Sequence, residues 1–151
     1  MIDPKTAQAA VDARYRMTLI IWVWLLASMG FYFLITKSER LRSLFIEVPA
    51  ADGGGGTILW VLWALGVSIT GISFLLKRML LSKAVREQRI EAVQVAYIIA
   101  FALCDAGGIF GVLAYFSTGH RYYYLLFITP VLGMLLHMPS RDDLVSASFK
   151  R

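Results

Sequence analysis

Four long apolar stretches constrain this chain more than any motif in it. They run from Met17 to Thr36, Thr57 to Leu76, Ala96 to Phe116 and Tyr122 to Met138. A helix crossing the hydrocarbon core needs about 20 apolar residues, with a practical minimum near 17. The first three stretches meet that length. The fourth sits at the lower limit, with aromatic and polar ends that reach the interfaces. Backbone groups in lipid must pair within their own segment, so stretches of this length suit helices rather than the short strands of a barrel. A soluble helical bundle is the competing reading, but the first two segments would give it almost no polar face. The sequence therefore predicts an all-α integral membrane protein with four transmembrane helices over residues 17–138. An amphipathic segment (1–16) precedes that domain and a tail (139–151) follows it.

Charge sets the expected orientation. Lys5, Arg14 and Arg16 precede the first stretch; Lys77, Arg78, Lys83, Arg86 and Arg89 separate the second from the third; Arg141, Lys150 and Arg151 follow the fourth. Those eleven lie on one side of a four-span chain, against Lys37, Arg40, Arg42 and Arg121 on the other. The positive-inside tendency predicts that both termini and the 77–94 connection are cytoplasmic. The net charge of +5 then needs only anionic lipid headgroups as its counter-surface, and no nucleic acid. The first stretch follows sixteen residues that include Asp3 and Asp12, and no small-residue cleavage pattern follows Ile35, so it reads as a retained span. The expected location is a bacterial cytoplasmic (inner) membrane. Cys104 is the single cysteine, which leaves no internal disulfide and no cysteine-based metal site.

Small residues mark the expected helix contacts. Ala64, Ser68 and Gly71 share a face of the second segment, with Gly66 and Thr70 beside it. In the third segment Cys104, Gly107 and Gly111 form one stripe, and Phe101, Asp105 and Gly108 the next. Small faces let backbones approach closely in lipid, so these surfaces are expected either to oppose one another as an antiparallel seam or to meet another subunit. Trp22 and Trp24 read as lipid anchors or packing residues, with a pigment or quinone contact as the alternative. Between the first two spans, Ser43 to Val48 reads as an interfacial turn or short helix and Gly53 to Gly56 as a linker. Pro130 and Gly133 can kink the fourth segment. Ser140, followed by Asp142 and Asp143, has the pattern of an N-cap and an acidic first turn.

Asp105 is the one acidic residue inside the third apolar stretch. A carboxyl group at such depth must be protonated, paired or wetted, which makes it the leading candidate site. Neutral, it can donate to a carbonyl or to a hydroxyl such as Ser68 or Thr70; ionised, it needs a cation or water. A structural hydrogen bond or subunit contact and a reversible proton or cation site both fit. The run Ala102-Leu103-Cys104-Asp105-Ala106-Gly107-Gly108-Ile109-Phe110-Gly111-Val112-Leu113, together with Arg86 and Gln88 upstream, resembles the carboxylate-bearing helix of the ring proteolipid (subunit c) of rotary ATP synthases. The resemblance covers residues 86–115. It implies that Asp105 corresponds to that family's ion-binding carboxylate.

His120 and His137 are the only histidines. They fall near span ends on opposite expected sides, so they cannot share a metal. Either could separately ligate a pigment or haem in a larger complex, and a polar interfacial role is the plainer alternative. No cofactor or metal is expected, and no nucleophile–base–orienter set is visible. These readings converge on a non-enzymatic accessory or scaffolding subunit of a larger energy-transducing or transport complex, with other integral membrane subunits as partners. The alternative is a proton- or cation-translocating proteolipid-like protein that uses Asp105.

Overall fold

A computed structural model describes residues 4–38, 55–119 and 121–148. Over these the chain is all-helical, in the order α1 (Pro4–Lys37), α2 (Gly55–Glu87), α3 (Ile90–Thr118), α4 (Leu125–Leu136) and α5 (Arg141–Ser148). The expected elements at Ser43 to Val48 and His120 lie outside the described residues, as do Gly53 and Gly54 of the glycine run. The first three helices are long and apolar enough to cross a membrane. At 1.5 Å per residue each measures about 44–51 Å, beyond the roughly 30 Å of a hydrocarbon core. α4 has 12 residues, about 18 Å, so the fourth apolar stretch is helical over only part of its length.

One expected boundary differs. Residues 4–16 are not a separate surface helix; α1 runs through them without a break, because nothing between Pro4 and Met17 interrupts helix formation. The connection between the second and third segments is short and largely helical. α2 continues to Glu87 and α3 begins at Ile90. Gln88 adopts a left-handed conformation (φ 54°), its N–H donates to Val85 O and that of Arg89 to Ala84 O. This is the Schellman pattern that satisfies orphan carbonyls and reverses the chain in two residues, usually with glycine in the left-handed position. The basic residues of this region thus stand on helix surface, where exposed Glu87 lies 3.8 Å from Lys83 and 3.9 Å from Arg89.

Packing concentrates at the end where both termini lie. Val11 of α1, Ala84 of α2, Val93, Tyr97, Phe101 and Cys104 of α3, Met134 of α4, and Leu144 and Ala147 of α5 form one buried cluster. A smaller cluster (Leu59, Ala114, Leu126) closes the far end. α5 starts as expected, with Ser140 Oγ accepting from Asp142 N–H at 3.2 Å. It is docked rather than free: Tyr97 OH donates to Asp143 and accepts from Ser140 N–H, and Arg141 pairs with Asp12 at 2.7 Å. Arg14 likewise reaches Glu91 and Gln94 of α3. Such exposed ion pairs contribute at most about 1 kcal/mol each, but they fix which helix ends meet. The outward surfaces are otherwise apolar: Trp24, Leu34, Leu75, Met79 and Leu136 are all mostly exposed. A contiguous surface of this kind is stable only under lipid or protein cover.

Candidate functional site

Asp105 occupies the middle of α3, and its partners come from α1. Ser28 Oγ lies 2.8 Å from Asp105 Oδ1, and Tyr32 OH 3.4 Å from Oδ2. Ser28 and Tyr32 stand four residues apart, one above the other on a single helix face. Ser28 Oγ also lies 2.7 Å from Leu25 O, yet a serine hydroxyl carries one proton. If that proton goes to Asp105, the carboxyl is the acceptor. If it goes to Leu25 O, a protonated Asp105 donates to Ser28. Both states keep the α1–α3 link. Among the described residues no basic side chain forms an ion pair with Asp105.

The hydroxyls expected to serve Asp105 do not reach it. Ser68 is exposed and donates to Ala64 O at 2.7 Å; Thr70 is buried and donates to Gly66 O at 2.9 Å. Both bonds return to the residue's own helix four positions back, the local alternative always open to Ser and Thr. The α3 stripe of Phe101, Asp105 and Gly108 turns to α1: a Cβ at Gly108 would stand 3.4 Å from the Tyr32 ring and 3.7 Å from Met29.

The expected seam is also rearranged. Ala64, Ser68 and Gly71 face outward, and a Cβ built on Gly71 meets nothing within 4 Å. The inward stripe of α2 is Gly66, Thr70 and Ser73. Gly107 and Gly111 of α3 receive α4: Cβ atoms there would come to 3.0 Å from Pro130 Cβ and 2.7 Å from the Phe127 ring. Gly133 of α4 completes the joint, with its virtual Cβ 2.5 Å from Thr70 Cγ2 and 3.2 Å from Cys104 Sγ. Pro130 therefore serves as a packing surface for Gly107.

Beside this joint lies a polar cluster that sequence reasoning missed. Ser73 of α2 and His137 after α4 are both fully buried. Ser73 Oγ lies 2.6 Å from Thr70 O, 2.8 Å from His137 Nε2 and 3.6 Å from Cys104 Sγ. With its one proton given to Thr70 O, Ser73 accepts from a protonated Nε2 and from the thiol. His137 Nδ1 is then an acceptor, and it is buried with no partner among the described residues. The imidazole packs on Phe74, ring centres 4.1 Å apart. A serine–histidine contact at this distance is the spacing of a nucleophile and its base. Here the serine proton is directed at a carbonyl and both groups are buried, so the cluster ties α2, α3 and the end of α4 together. One signal for the cluster was present: Ser73 follows Thr70 by three residues and continues the Gly66/Thr70 face.

Trp22 and Trp24 divide. Trp22 Nε1 donates to Met134 O at 2.8 Å, satisfying a carbonyl at the end of α4; Trp24 is 73% exposed. Among the described residues no group of three or more His, Cys, Asp or Glu side chains could hold a metal ion. Compared with protein-family models, curated proteins and solved structures, the chain matches none of them.

Proposed function

We propose that this chain is a non-enzymatic, four-span subunit of a larger energy-transducing or transport complex in a bacterial cytoplasmic membrane, with both termini cytoplasmic. The observation that carries the reading is the outward face of α2. Ala64, Ser68 and Gly71 are exposed there, and the space beside Gly71 is open. Lipid tails do not require small residues, whereas a neighbouring helix that approaches closely does. The four-span topology is supported by the docking of α5 on the first turns of α1, since 119–139 must carry the chain back from the far end of α3. The basic residues of that end favour its placement on the cytoplasmic side. After mild extraction, a substantial fraction of the protein co-migrates with other membrane proteins; migration solely as a monomer would overturn the reading.

A second reading has its own observation. The Asp105 carboxyl meets the Ser28 and Tyr32 hydroxyls and forms no ion pair among the described residues, and the resemblance to the rotary proteolipid implies an ion-binding carboxylate there. On this reading Asp105→Asn abolishes ion-dependent activity while assembly persists, because asparagine both accepts and donates in the same shell. Unchanged ion flux would remove it.

A further inference from the structure

The outer side of the His137 cluster opens into a groove of about 420 Å³ between α2 and the end of α4. Phe74, Leu75, Leu81 and Leu136 supply apolar wall, and Lys77 and Arg78 supply two adjacent cations. Leu75 and Leu136 are 66% and 71% exposed, so the apolar part is open sideways. Lys77 Nζ rests over the Tyr97 ring at 4.1 Å, a position that orders the ammonium, with the Asp143 carboxylate within electrostatic reach. Arg78 is exposed and forms no ion pair among the described residues. The groove straddles the point where the apolar run of α2 ends at Leu76 and charge begins. An occupant must therefore be apolar along one half and anionic at the other.

We propose that this groove is a binding site for one anionic phospholipid. The phosphate sits between Lys77 and Arg78, and an acyl chain lies along Phe74, Leu75 and Leu136. Basic residues at the membrane surface attract acidic headgroups at about 1 kcal/mol each, and the adjoining apolar wall adds a shaped contact that a scattered surface charge lacks. His137 forms the floor, held by Ser73 and Phe74, so the groove is built on a fixed wall. The site rests on the membrane-subunit reading above, and bilayer insertion is scored separately in the test.

The test uses the full chain in phosphatidylcholine bilayers doped with spin-labelled phosphatidylglycerol or spin-labelled phosphatidylcholine. Its readout is the motionally restricted fraction of each. The protein is expected to prefer phosphatidylglycerol, and Arg78→Gln to reduce that preference about fivefold. Leu75→Trp, which fills the apolar half and retains both cations, also lowers it. Lys83→Gln/Arg86→Gln, which removes two charges outside the groove, leaves the preference nearly unchanged. An equal loss in that control would make the effect general surface charge and overturn the site. Displacement of the lipid signal by millimolar inorganic phosphate would assign the cations to a free anion instead, also overturning it. Failure to insert into the bilayer would defeat the membrane-subunit reading itself, whereas insertion without lipid preference defeats only the site.

Discussion

Gly133→Ala is expected to destabilise the protein by about 2 kcal/mol, within the usual range for overpacking a tight joint. The added methyl would stand 2.5 Å from Thr70 Cγ2, a distance that forces α2 and α4 apart. Thr70 cannot easily turn away. Its χ1 is restricted by β-branching, and its hydroxyl is held by Gly66 O. Thr70→Ser removes the obstructing methyl and keeps the hydroxyl, so the double variant should recover most of the loss. Thermal unfolding of the four proteins in detergent gives the coupling directly as a double-mutant cycle. Additive costs would show that the two side chains do not meet.

His137→Ala is expected to cost about 3 kcal/mol, comparable to truncating a buried aromatic ring. The imidazole is fully buried against Phe74, and its loss opens a cavity where three helices converge. His137→Phe separates volume from chemistry. It restores the ring, forfeits one bond to Ser73 worth about 1 kcal/mol, and abolishes the buried, unpartnered Nδ1, whose desolvation also costs about 1–3 kcal/mol. The phenylalanine variant should therefore lie within about 1 kcal/mol of the parent. A loss as large as that of His137→Ala would mean that Nδ1 serves a partner beyond the described residues.

The sequence disclosed the helices and their apolar character because segment length and hydropathy are local properties. It marked Asp105 for the same reason: a carboxyl in an apolar run is conspicuous without any structure. Which hydroxyls serve it was not legible. Ser28 and Ser68 are equivalent on paper, each a small polar residue in an apolar helix, and only helix rotation decides that Ser28 faces α3. The same rotation turned the Ala64/Ser68/Gly71 stripe outward and gave the inner position to Gly66, Thr70 and Ser73. Gly107 and Gly111 marked a close contact, but a notch does not name its filler. Pro130 and Phe127, 23 and 16 positions downstream of Gly107 and Gly111 respectively, emerge only once α4 is laid on α3. The Ser140 N-cap was readable because capping is decided within a few residues. The docking of the helix that follows was not, since Tyr97 and Asp12 are remote in sequence.

The account depends most on the claim that the outward face of α2 meets another protein helix. A photo-reactive side chain at position 68, activated in native membranes, tests it directly. The expected result is a covalent adduct to a membrane protein, lost when Gly71→Leu blocks the open face without touching the chain's own core. Adducts to lipid alone, unchanged by Gly71→Leu, would contradict the claim.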